Sequence, residues 1–167
     1  MPLFKHPFNK TLSSPRTRLE MLKCLEKTRA KLSDLEIKKK TTSYTIDTLK
    51  SLTKKYPNDK LYWVIGADQI KDFDKWKGWK EILNKFGIVV IPRVITKKPE
   101  EGIKKLLPSS KNIVLIDKKR FPPVHASSTL IRERVKKGKS IARFVPKKIE
   151  AYIIRHKLYL QILGNKT

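Results

Sequence analysis

Cysteine is almost absent from this sequence. Cys24 stands alone among 167 residues, so neither a disulfide framework nor a cysteine-rich zinc site can form. That usage fits a reducing, cytoplasmic setting. Glycine is also scarce, with six residues, and neither common Gly-rich phosphate loop occurs. The three histidines, His6, His125 and His156, are dispersed, and no HExxH or CxxC pattern is present, so no protein-built metal site is expected. No apolar run approaches 18 residues and no signal peptide is seen, which argues against a membrane span and a secretory route. Acidic residues are few: 15 stand against 40 Lys and Arg, a net charge of +25. Such a surface favours anionic partners, whether nucleic acid, another polyanion or phosphorylated small molecules.

The basic residues argue less for nucleic acid than their number suggests. Lysine outnumbers arginine 31 to 9, and doublets such as Lys54-Lys55, Lys104-Lys105 and Lys147-Lys148 are spread along the whole chain. A dedicated nucleic-acid reader clusters its cations and uses arginine for bidentate contacts. Hydrophobic content is ordinary at 39 %, so the length suits one folded domain over residues 1–167.

Strands alternate with helices along the chain. Leu61–Ile65, Ile88–Ile91 and Ile113–Ile116 are short, continuous apolar runs of the kind buried in parallel sheets. Leu35–Ile37 reads as a further short strand. Ser14-Pro15 opens a helix running to about Ala30, and Ser43 or Thr42 caps one continuing to Tyr56. Trp79–Phe86 is amphipathic and ends at Gly87, Ser127-Ser128-Thr129 starts a helix ending at Gly138, and Val145-Pro146 begins the last. This order predicts an α/β fold with a parallel sheet and right-handed crossovers.

Two stretches carry chemistry. In Leu61–Lys80 the strand stops at Gly66-Ala67-Asp68, at the carboxyl end where open α/β sheets bind ligands. Gly66 permits close backbone approach, Asp68 can accept bonds from a ribose diol, and Trp76 or Trp79 can stack on a heterocycle. An ordinary strand with two packing tryptophans explains the same residues. In Ser127–Arg134, the hydroxyls of Ser127, Ser128 and Thr129 stand beside free amides at the positive end of a helix. Arg132 adds a planar cationic fork one turn in. Together they form a phosphate trap, or else a plain N-cap with surface arginines.

The collinear set Ser43-Tyr44-Thr45-Ile46-Asp47-Thr48-Leu49, Gly66-Ala67-Asp68, Trp76-Lys77-Gly78-Trp79 and Ser127–Arg134 resembles the bacterial nicotinate-nucleotide adenylyltransferases. The opening His6-Pro7-Phe8-Asn9-Lys10 with Arg18–Leu22, and the ending Phe144–Tyr159, are similar too. The resemblance implies a Rossmann-like nucleotidyltransferase fold. It also implies transfer of the adenylyl group of ATP to nicotinate mononucleotide, giving deamido-NAD and pyrophosphate. Trp76 would stack on the pyridine, and the amides of Thr45 and Lys77 would hold the nicotinate carboxylate. Gly66 and Asp68 would meet a ribose, while Ser128, Thr129 and Arg132 would hold the ATP phosphates. Lys10 and Arg132 would be the cations at the reacting centre. Mg2+ would arrive with ATP rather than in a protein cage.

One departure stands against these matches. The family opens with a strand, a Gly-rich turn and an HxGH motif, for which this chain has no counterpart. In the family's 3-2-1-4-5 order that strand is central. The expectation is therefore a sheet lacking its first strand, an uncovered edge beside Leu61–Ile65 prone to self-association, and little or no turnover. Two other readings stand beside this one: a basic nucleic-acid-binding α/β module, and another nucleotidyltransferase of the same superfamily.

Overall fold

The computed structural model describes residues 13–25, 30–92, 112–117, 119 and 126–160. Contacts divide them into two compact units: residues 35–119 form the first, and 13–34 with 126–160 the second.

The first unit holds the sheet. Strands β1 (Tyr62–Gly66), β2 (Gly87–Ile91) and β3 (Ile113–Leu115) are parallel, in the order β1-β2-β3. Tyr62 pairs with Gly87 and Ile65 with Val90, and Ile88 pairs with Ile113. All three strands fall where continuous apolar runs place them. Gly87 opens β2 rather than closing a helix. It lies under the Tyr62 ring, into which a Cβ would run.

Side chains alternate across a strand. On one face Ile65, Ile88 and Val90 are 5 % exposed or less and join Ile46 and Leu49 of helix α3 (Thr45–Lys55). Ile82 and Leu83 of helix α4 (Trp79–Lys85) complete that layer. The opposite face carries Tyr62, Val64, Ile91 and Val114, each at least 44 % exposed. Among the described residues β1 pairs with β2 alone.

Leu35–Ile37 is not a strand. Residues Leu35–Lys38 form helix α2, a single turn. The strand reading needed Leu35 and Ile37 inward, yet it is Glu36 that is buried, at 2 % exposure. Its carboxylate Oε1 accepts the Thr48 hydroxyl at 2.7 Å, which ties α2 to α3. Thr48→Val keeps the shape but leaves a buried carboxyl short of its donor, at about 1–3 kcal/mol. Melting several degrees lower, with Thr48→Ser near the parent, is expected by calorimetry. Equal melting of the Val and Ser variants would remove this role.

Helix α3 also begins later than expected. Its N-cap is Tyr44, with no side-chain cap bond, while the Ser43 side chain is buried and its hydroxyl has no partner among the described residues.

Between β1 and α4 runs a 3-10 helix, Ala67–Lys75. Its buried residues are Ala67, Ile70 and Phe73, three apart. At 3.0 residues per turn that spacing keeps one face against the core, whereas an α-helix would rotate it away.

In the second unit, helix α1 (Pro15–Lys23) follows an N-cap Ser14 whose hydroxyl accepts from Thr17 N–H at 3.0 Å. Arg18 Nε donates to the Ser13 carbonyl at 3.0 Å; burial lowers its pKa, partly opposed by Tyr159. Helix α5 (Ser128–Lys136) and helix α6 (Lys147–Arg155) complete this unit, around the buried Ile141 and Ile153. The Tyr159 hydroxyl lies 3.9 Å from Met21 Sδ, joining the unit's two sequence segments.

Candidate active site

Trp76 ends the 3-10 helix, half-buried, on the same three-residue repeat as Phe73. Their ring centroids lie 5.1 Å apart at 36°. The repeat therefore fixes where the indole stands. Within the same helix Asp72 and Lys75 pair at 2.6 Å, and that hydrogen bond holds the Asp72 carboxyl below its usual range and Lys75 above its own.

The turn after Trp76 is pressed onto the start of α3. Gly78 takes φ 66°, the left-handed region open to glycine, and a Cβ there would meet Ile46 at 3.2 Å. Lys77 Nζ contacts Asp47 Oδ2 at 2.9 Å and sits 4.8 Å over the Tyr44 ring. That ion pair is exposed, so it contributes little stability but anchors the turn. The first two amides of α3, at Thr45 and Ile46, have no acceptor within the helix, and the N-cap Tyr44 makes no side-chain bond to them. Thr45, Trp76 and Lys77 are thus brought to one end of the first unit.

Gly66 and Asp68 stand at the other end of the 3-10 helix. Gly66 has φ −74°, which any residue adopts. Asp68 Oδ2 accepts from Gln69 Nε2 at 2.8 Å.

In the second unit Ser127 is the N-cap of α5, its hydroxyl taken by Leu130 N–H at 3.1 Å. It is a cap, as the plainer sequence reading held. Ser128 and Thr129 are exposed, and Arg132 Nη2 donates to Thr129 Oγ1 at 3.3 Å. Lys10 and His125 lie outside the described residues. No group of three His, Cys, Asp or Glu able to hold a metal occurs among the described residues.

Two supporting residues escaped sequence reasoning. Phe73, behind Trp76, was signalled by the three-residue repeat; Asp47, holding Lys77, had no local signal.

A family model described as cytidylyltransferase-like matches residues 2–134. A Clostridium botulinum (strain Okra) protein called a probable nicotinate-nucleotide adenylyltransferase is 37 % identical over 160 residues, covering 92 % of this chain and 78 % of that protein. The chain belongs to the cytidylyltransferase-like family, among its nicotinate-nucleotide adenylyltransferases. Another family member, from Lachnoclostridium phytofermentans, is 36 % identical over 130 residues, and the match spans 64 % of its length and 77 % of this chain. The Plasmodium falciparum nicotinic acid mononucleotide adenylyltransferase, solved with NaAD, superimposes with TM-score 0.70 at 22 % identity. That superposition covers 90 % of this chain and 77 % of the other. It establishes the family's Rossmann-like α/β fold.

Proposed function

We propose that this chain carries the substrate sites of a nicotinate-nucleotide adenylyltransferase, which joins nicotinate mononucleotide to ATP and releases pyrophosphate. The observation that carries this reading is the packing of the Trp76–Gly78 turn on α3. Gly78, two residues after the indole that packs on Phe73, abuts Ile46 in the first turn of α3, at the positive end of that helix. A pyridine stacks on Trp76, and its carboxylate meets the Thr45 amide at the start of α3 and the Lys77 amide in the adjoining turn. The uncharged amide of nicotinamide mononucleotide gains less from that dipole. Gly66 and Asp68 meet a ribose. At about 2 Å per residue, Asp68 lies about 16 Å from Trp76 along the 3-10 helix, so they serve different parts of an extended ligand.

Ser128, Thr129 and Arg132 take the ATP phosphates, with first-turn amides behind them. Lys10 and Arg132 offset the charge that develops as the mononucleotide phosphate attacks the α-phosphorus. The work is positioning and electrostatics, without a covalent nucleophile. Mg2+ enters as part of the ATP substrate. Residues 1–167 are read as one nucleotidyltransferase-like domain, in the cytoplasm.

Calorimetric titration with nicotinate mononucleotide and with Mg2+-ATP tests the reading, with single-stranded polynucleotide as the competing ligand. Binding of both nucleotides is expected. Affinity only for polynucleotide, falling steeply with salt, would sink the reading in favour of a nucleic-acid module.

The open β1 edge supports a second property, self-association. Tyr62 and Val64 are 45 % and 56 % exposed on β1, which among the described residues pairs with β2 alone. Because each copy carries +25, association should strengthen as salt screens the repulsion. In sedimentation velocity the parent is expected to associate with concentration, and Val64→Lys to stay monomeric. Identical behaviour of the two chains would rule the edge out.

A further inference from the structure

The second unit contains an apolar groove that no step above uses. It has a volume of about 250 Å3 between the end of α5, the turn at Gly138–Ile141 and helix α6, with the buried Ile141 and Ile153 as its floor. Val135, Ile141, Ile153 and Leu158 line it. Ile154 and Leu160 lie on its border, 68 % and 50 % exposed. Lys139 and Lys157 flank it, and the one acid in its lining is Glu150, in the first turn of α6 where the helix dipole favours a carboxylate.

From this groove and the charge around it, we infer that α5 and α6 dock an acidic amphipathic helix of another protein. Such a partner lays apolar side chains along the groove while its Asp and Glu meet the flanking lysines. Residues 126–160 carry ten Lys and Arg, from Arg132 to Lys157, against two acids, Glu133 and Glu150. A patch of that sign selects a negatively charged partner. The same excess disfavours a second copy of this chain, which offers cations at +25 overall. The apolar side chains line a concavity, which side-chain anchors enter and a flat bilayer does not. A polynucleotide would use the lysines but leave Ile154 and Leu160 in water.

The test is fluorescence anisotropy with the full chain at about 0.15 M salt. The probe is a labelled helical peptide of Glu with Leu at every third and fourth position. The comparison ligands are a scrambled peptide of identical composition, single-stranded polynucleotide, and phosphatidylserine vesicles. The amphipathic peptide is expected to bind with micromolar Kd and the scrambled one at least about tenfold more weakly. Ile154→Asp and Leu160→Asp should each weaken the amphipathic peptide about tenfold or more, with unchanged melting temperature, since both side chains are already in water. Equal binding of the two peptides would reduce the site to charge alone and overturn the proposal. So would binding indifferent to both substitutions, or vesicles or polynucleotide responding to them in the peptide's place. A chain that binds the peptide only after residues 161–167 are removed would show the groove to be served by its own tail, which also overturns it.

Discussion

Replacing Trp76 with alanine is expected to weaken nicotinate mononucleotide binding by about one to two orders of magnitude while leaving ATP affinity within about twofold. Stacking of a base on an aromatic ring is worth roughly 1–3 kcal/mol, and about 1.4 kcal/mol is a factor of ten. The half-buried indole leans on Phe73 by one face, so its loss removes ligand contact more than core. Trp76→Phe keeps a smaller ring and should lose less. Calorimetric titration of each ligand separates the outcomes. Equal loss of both affinities would mean that Trp76 acts through the fold and not on the pyridine.

Phe73→Ala is expected to be the more damaging substitution. Phe73 is 1 % exposed, at the centre of the cluster joining the 3-10 helix, α3, α4 and the sheet. Truncating a buried phenylalanine costs about 3–5 kcal/mol, a large part of the ordinary 5–15 kcal/mol of a folded domain. Melting should fall by roughly 10 °C or more. Mononucleotide binding should fall with it, because the support behind Trp76 is gone. Phe73→Leu, which keeps most of the volume, should restore much of both. A Phe73→Ala chain that melts like the parent would show that the 3-10 helix is not held by its apolar face.

Much of the framework was legible in the residues. The runs at 62–66, 87–91 and 113–115 were legible as strands because short, continuous apolar and β-branched runs favour the extended, paired backbone of a parallel sheet. Ser14-Pro15 and Ser127 start helices, since a hydroxyl there fills an amide the helix leaves open. Trp76 was legible as a stacking aromatic after a strand end, whereas Thr45 and Lys77 were visible only through the resemblance. Its physical basis, the turn on α3 and the ring on Phe73, came from packing. Leu35–Ile37 misled because an apolar alternation three residues long says nothing of which side faces inward.

Local chemistry therefore determined where the strands and helices of this protein lie, and that its surface is strongly cationic. Tertiary structure decided which polar groups meet. Glu36 finds Thr48 twelve residues on, and Lys77 finds Asp47 thirty residues back. It also decided that one sheet face is packed by α3 and α4 while Tyr62, Val64, Ile91 and Val114 stand in water. The reason is one of range. Helical and strand periods are set by neighbours a few residues apart, whereas a buried carboxylate or an anchored turn depends on partners that only the folded chain brings within 3 Å.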